Sequence, residues 1–250
     1  MSLLSQLAAV DVIDLTAPLS DTTPVLQLPP PFANTKSFSL TEISRYDELG
    51  PAWYWNDITT GEHTGTHFDA PVHWITGKDG EDISQVPPAK LIAPAAVLDF
   101  HELADADPDF LLEISDVEAW EEAYGPLPDG GWLLYRTGWD ARSGDQREFL
   151  NANETGPHTP GISVECAGWL AGRSILGLGV ETVGTDAGAA HSFEPPFPCH
   201  TALLGAGKYG LTQLRNLALL PPQGAVIVAA PLPIVGGSGS PCRVLALVER

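Results

Sequence analysis

Short apolar runs punctuate the chain at Val10–Leu15, Leu91–Phe100, Trp132–Tyr135, Ile175–Gly179, Gly224–Ala230 and Val244–Val248. Several are continuous rather than alternating, the pattern of strands covered on both faces. Polar signals between them open helices. Ser115-Asp116-Val117-Glu118 ahead of AWEEAY reads as a capping box. Ser163 is placed to cap VECAGWLAG, with Gly172 as its stop. Leu211–Leu220 reads as an amphipathic helix halted by Pro221-Pro222. The alternation predicts an α/β fold, a mixed sheet with helices packed on it. Residues 20–62 show neither period; they contain Pro29-Pro30-Pro31 and the cluster Trp53, Tyr54 and Trp55, and read as irregular. Irregular stretches of that length are often functional or tied down by a partner subunit. With no internal repeat and no linker, residues 1–250 are read as one domain.

Composition narrows the class. A chain of 250 residues, 44% hydrophobic and 18% charged, is long enough for a sizeable core and too apolar for disorder. Twelve basic against 32 acidic residues give a net charge of −20, which repels phosphate backbones and anionic membranes. Nucleic acid and membrane are therefore excluded as expected partners. The acidic excess lies before residue 200; beyond it, Lys208, Arg215, Arg243 and Arg250 stand against Glu249 alone. That contrast reads as buried C-terminal structure and a solvated acidic surface. Cys166, Cys199 and Cys242 are odd in number and widely spaced, unlike a disulfide framework or a zinc cluster. The first residues lack a basic segment and a long apolar run, so a cytoplasmic protein is expected.

One segment changes the picture. Glu62-His63-Thr64-Gly65-Thr66-His67-Phe68-Asp69-Ala70-Pro71-Val72-His73-Trp74 places three of the seven histidines and an aspartate within eleven residues. His63, His67, Asp69 and His73 all occupy odd positions, so on an extended chain they share one face. Gly65, Thr66 and Pro71 argue against a helix there. Two imidazoles and a carboxylate suit a divalent ion, and three protein ligands leave positions open for water and substrate, the catalytic arrangement. His73 is read either as a working histidine or as a core residue under Trp74.

The pattern His-x-Gly-Thr-His-x-Asp-x-Pro-x-His resembles the signature of the metal-dependent cyclase family, which takes in bacterial kynurenine formamidases and isatin hydrolases. The resemblance runs through Val25–Ala33, Gly61–Asp79, Ala106–Leu112, Phe149–Pro160, Gly184–Gly188 and Glu194–His200, and leans toward the isatin hydrolase branch. It implies a swivelling β/β/α domain and a homodimer or larger homo-oligomer. It implies that His63, His67 and Asp69 bind the metal, that His73 transfers protons beside it, and that His200 belongs to the site. In the formamidases the position of His200 binds a second metal together with a glutamate twelve residues later. Thr212 stands there in this chain, followed by Gln213. That departure implies one ion, Mn²⁺ in the first place and Zn²⁺ in the second, with His200 contacting substrate.

A divalent ion acidifies its bound water and polarises a carbonyl. Histidine, with an ordinary pKa of about 6.5, suits His73 as the proton carrier. Trp53, Trp55, Phe68 and Trp74 are candidates to hold a flat aromatic amide or lactam, and each has core packing as its other reading. The expected reaction is opening of a cyclic amide by metal-activated water, isatin to isatinate. An arylformamidase acting on N-formylkynurenine is the alternative, which Thr212 disfavours. A silent metal- or ligand-binding protein is the other, and a base beside the metal disfavours that. Asp186 in GTDAG is read as a turn cap or as support for the site, while His158 and His191 read as loop histidines, and Gly177-x-Gly179 lacks the third glycine of a dinucleotide loop.

Overall fold

A computed structural model describes Ser5 and residues 7–250. Its strands in chain order are β1 Val10–Asp14, β2 Ser39–Arg45, β3 Tyr54–Thr59, β4 His67–Asp69, β5 Ile92–Asp99, β6 Leu111–Leu112, β7 Trp132–Arg136, β8 Ala152–Asn153, β9 Gly156–Pro157, β10 Gly161–Ile162, β11 Gly177–Val180, β12 Tyr209–Thr212, β13 Gln223–Pro231 and β14 Gly239–Glu249. The α-helices among the described residues are α1 His101–Ala106, α2 Ile114–Tyr124, α3 Gln146–Leu150 and α4 Val164–Ala171. The architecture is mixed α/β, strand-rich with few helices, as the run pattern predicts. No helix among the described residues is long and apolar enough to cross a membrane.

The main sheet runs β1-β14-β13-β5-β7-β11-β12-β4, and β4 also pairs with β14. Seven strands therefore close on themselves into a barrel-like ring, with β1 added outside it. Closure rests on three residues: His67, Phe68 and Asp69 pair with Thr212, Leu211 and Gly210 on one side and with Pro241, Ser240 and Gly239 on the other. Inward positions of the ring bury Phe68, Trp132, Leu134, Tyr209, Leu211, Ile227 and Val244 in one core. Outward positions of β5, β7 and β11, including Leu98, Leu133, Leu178 and Val180, pack with Val117 and Trp120 of α2 and Leu170 of α4 in a second core. The period-two alternation of each strand divides the chain's apolar residues between these two layers.

Three expectations are corrected. Tyr209–Thr212 is a strand, and Leu217–Leu219 a single 3₁₀ turn, where the pattern over Leu211–Leu220 predicts a helix. Leu211 is committed to the core between β4 and β11, and Gln213 and Asn216 take positive φ of 52° and 61°, which no helix accommodates. α2 is capped two residues earlier than predicted: the Asp116 carboxylate accepts the Glu113 backbone N–H at 2.9 Å. Residues 20–62 are less irregular than their composition, because β2 and β3 form an antiparallel ribbon paired with no other strand. The α4 cap is as predicted, with Ser163 Oγ accepting the Cys166 N–H at 3.2 Å.

Candidate functional site

The strand that closes the ring is the one that carries His67 and Asp69. Phe68 points into the ring, so His67 and Asp69 point out of it. Gly210 and Gly239 flank Asp69 in register, and both make room for the site. A Cβ on Gly210 would lie 2.6 Å from Asp69 Oδ2, and one on Gly239 would lie 2.6 Å from the His63 ring.

His63 and His73 arrive by routes that differ from the extended ribbon predicted. His63 sits in the turn before β4, which Gly65 bends with φ of +66°. His73 ends a 3₁₀ turn over Pro71–His73. The shared face is therefore made by turns at both ends of a three-residue strand. Its result is compact: the ligand-capable atoms of His63, His67 and Asp69 lie within 4.8 Å of one another.

Hydrogen bonds fix the donor set. His67 Nδ1–H donates to the Gly65 carbonyl at 2.8 Å, and its Nε2 lies 3.3 Å from Asp69 Oδ1. His63 Nδ1 meets the same Asp69 oxygen at 2.8 Å, and its Nε2 meets Ser238 Oγ at 2.8 Å. Burial alone would raise the Asp69 pKa, but the charges and hydrogen bonds of His67 and His63 outweigh it and hold the carboxyl well below its ordinary range. Two imidazoles beside one buried carboxylate fit a borderline divalent cation, and the carbonyl bond behind His67 is the usual way a ligand ring is oriented. His63, His67 and Asp69 are thus able to hold such an ion.

Thr212 lies on β12, paired with His67. Fully buried, it sets its hydroxyl 2.9 Å from His67 Nδ1 and 3.1 Å from Nε2. Gln213 is buried behind, its backbone carbonyl accepting from Thr66 Oγ1 at 2.7 Å and its amide donating to the Pro24 carbonyl.

Beside the triad, the His73 ring stacks on His63 with centroids 3.8 Å apart, and lies 5.4 Å from His200. Burial, with repulsion from the neighbouring histidines, lowers the His73 pKa to about 3, so the ring is neutral with a lone pair to offer. His200 begins a π-helical turn over His200–Leu204. Burial works against its charged form, but the hydrogen bond and charge of Asp186, with the charge of Asp69, prevail and raise its pKa above 6.5. Asp186 is buried; it accepts the Cys199 N–H at 2.7 Å, the His200 N–H at 3.2 Å and the His200 Nδ1–H. It supports His200 rather than the triad.

The aromatic candidates separate. Trp74 lies 4.8 Å from His200 and 5.5 Å from Phe197, anchored by its indole N–H on Thr201 Oγ1. Phe68 is fully buried inside the ring against Trp132 and Tyr209, so it is a core residue and not a wall of the site. Trp53 and Trp55 stack edge-on, half exposed, on the β2–β3 ribbon. Asp186, Ser238 and Phe197 enter the site from distant segments. Only GTDAG and EPPFPCH marked two of them in advance, and nothing in the sequence marks Ser238.

Residues 13–187 match the Cyclase family model, and the chain belongs to that family. Within it, the chain is 49% identical to the isatin hydrolase of Roseibium aggregatum over 96% of this chain and 93% of that one. An isatin hydrolase bound to the product analogue thioisatinate superposes with a TM-score of 0.96 at 46% identity, covering 100% of both chains. The kynurenine formamidase of Salinibacter ruber is 28% identical over 72% of this chain and 74% of its own.

Proposed function

We propose that this protein is a metal-dependent hydrolase that opens a cyclic aromatic amide, isatin to isatinate, using one divalent ion, with Mn²⁺ ahead of Zn²⁺. The observation that carries the reading is Thr212 on His67. Where a second ion would need a carboxylate, this chain puts a hydroxyl that supports the first. The likeness to isatin hydrolases along the whole chain supports the substrate class, and the thioisatinate bound by one relative has the shape of the expected product.

His63, His67 and Asp69 would hold the ion, which when bound supplies the Lewis acidity that activates water and polarises an amide carbonyl. His73, neutral beside the triad, accepts a proton from water. His200 faces the reacting amide through Nε2, since its Nδ1 is taken by Asp186. Such general acid–base help contributes roughly 10²–10⁴ in rate. Trp74 offers its ring to a flat substrate. Trp53 and Trp55, exposed on an unpaired ribbon, are read as reaching the site of a second copy, which makes the working unit a homodimer or larger homo-oligomer. Residues 1–250 act as one catalytic domain of the swivelling β/β/α type, and the acidic, disulfide-free chain is read as cytoplasmic.

The test is turnover of isatin and of N-formylkynurenine by the Mn²⁺-loaded protein, followed in parallel. Isatin opening with little formamidase activity is expected. Preference for N-formylkynurenine overturns the substrate, and no turnover of either at full metal content overturns the reading.

A further inference from the structure

Part-buried His200 and buried Asp186 form a pair whose two ends differ. At one end the Asp186 carboxylate accepts from the Cys199 N–H, the His200 N–H and the His200 Nδ1–H. The two backbone bonds fix the carboxylate to the start of the π-helical turn, so it cannot swing away without breaking them. An ionised carboxylate only accepts, so Nδ1 must carry its hydrogen. At the other end the His200 ring looks across 5.4 Å to His73 and 4.8 Å to Trp74. Thr185 Oγ1 also lies on the Nδ1 side, at 3.3 Å. Nε2 is therefore the one ring nitrogen presented to a substrate. The titratable groups around the pair are Asp186, Asp69, His73 and Cys199. A histidine tied in this way at Nδ1 has the arrangement that hydrolase triads use, where the aspartate holds the working tautomer and stabilises the imidazolium.

We infer that Asp186 is a positioning residue of the reaction, and that through it His200, not His73, delivers the proton to the departing nitrogen. The inference rests on the hydrolase reading above. The steps balance as follows. Water adds its oxygen to the amide carbon while His73 takes one of its protons. The carbonyl is re-formed as the C–N bond breaks, and the bond's electron pair goes to nitrogen. His200 Nε2–H gives its proton to that nitrogen, which becomes the aniline amine. The new carboxylic acid releases its proton to solvent, and His200 is recharged with the proton held by His73.

The decisive variant is Asp186→Asn, which keeps size and shape. With Oδ1 on the Cys199 N–H, its NH₂ faces His200 Nδ1, which must then keep a lone pair; the ring is held neutral, and its Nε2–H lacks the acidity of the imidazolium that the step needs. In hydrolase triads the corresponding change costs about 10⁴ in kcat by removing the base's Nε2 lone pair, and here it removes the acid's charge. Here kcat on isatin is expected to fall about 10²–10⁴-fold, KM to change less than threefold, and metal content and melting temperature to stay near those of the parent. Asp186→Glu should recover part of the rate. On 5-nitroisatin, whose nitrogen leaves with less need of a proton, the Asp186→Asn loss should shrink at least tenfold, whereas the loss caused by His73→Ala should be similar on both substrates. Nitrogen NMR of histidine in the Zn²⁺-loaded protein reads the tautomer of His200 without turnover. Unchanged kcat, an equal loss on both substrates, or no tautomer change in Asp186→Asn overturns the inference. Failure of the parent protein to open isatin overturns the proposed function instead, and the tautomer measurement still decides whether Asp186 orients His200.

Discussion

Four histidines among the described residues hold an aspartate at Nδ1, and two of them, His200 and His158, lie in opposite surroundings. Asp186 is buried and His200 part-buried, and the free nitrogen of His200 faces His73 and Trp74. His158 meets Asp109 at 2.7 Å on the surface, with Asp109 45% exposed. Its other nitrogen is used up locally, 2.7 Å from Thr155 Oγ1 and 3.2 Å from Asn153 Oδ1 on its own β8–β9 hairpin. Thr155, His158 and Asp109 thus repeat the order of a nucleophile, base and acid. Thr155 is also held by Asn153, which accepts both its N–H and its hydroxyl, and both partners are exposed. The contrast between these two pairs is one of burial, which makes the charge matter at Asp186, and of the outer nitrogen, which only His200 leaves for something else. In water the same pair is a clamp on a loop.

The largest way to break the comparison is to empty the triad that His200 faces. Asp69→Ala removes the one carboxylate shared by His63 and His67. Metal should no longer co-purify, and turnover should fall by more than the 10–100-fold or so that loss of a mere supporting contact costs. Metal analysis beside a rate assay checks both; activity at full metal content would show that Asp69 is not a ligand. Thr212→Val is the next step down. It keeps the volume and removes the hydroxyl on His67, so metal affinity should drop about 10–100-fold while the fold is retained. Competition with a chelator measures it, and unchanged affinity would make Thr212 a packing residue.

These effects bear on what the sequence alone could disclose. The motif's residue types were legible because the chemistry demands them: two imidazoles, a carboxylate and a nearby histidine. Their geometry was not. Periodicity put all four on one strand, whereas only His67 and Asp69 lie on β4, and turns at Gly65 and Pro71 bring in the other two. Six of the eight strands of the main sheet were legible as apolar runs, but β12 was not, nor was the closing of the ring, because β4 has three residues and its pairing with β12 and β14 is entirely long-range. For the same reason Leu211–Leu220 looked helical: Leu211, Leu214, Leu217 and Leu220 answer to the core and not to a helical face. Phe68 shows the reverse error, an aromatic adjacent to ligands in sequence that alternation turns into the ring.

A third buried carboxylate sharpens the comparison by having no histidine at all. Glu181, 1% exposed, accepts backbone N–H groups from Thr137 and Trp139, but burial and the charge of Asp140 push its pKa up to about 7. Asp69, equally buried, is held low by its imidazoles. The folded state therefore binds more protons at Glu181 than the unfolded chain between the unfolded value of about 4.5 and 7. Stability falls as pH rises through that window and the loss is complete above it, amounting to about 3 kcal/mol. Glu181→Gln should flatten this part of the pH profile of denaturant unfolding; an unchanged slope would place the titration elsewhere.

The smallest effect belongs to the surface pair. Exposed ion pairs contribute about 0–1 kcal/mol, and Asp109 is too accessible for its charge to reach far. His158→Ala should therefore lower stability by no more than about 1 kcal/mol, loosening the hairpin that His158 ties to the Asp107–Phe110 turn. Metal content and kcat on isatin should stay within twofold of the parent protein. The same substitution at His200 should cost about 10²–10⁴ in rate with little loss of stability beyond that of a buried ring. If His158→Ala instead slowed turnover as His200→Ala does, burial would not be what separates the two pairs. The route would then run from β9 through the Pro157 carbonyl, on which Gly188 packs two residues after Asp186.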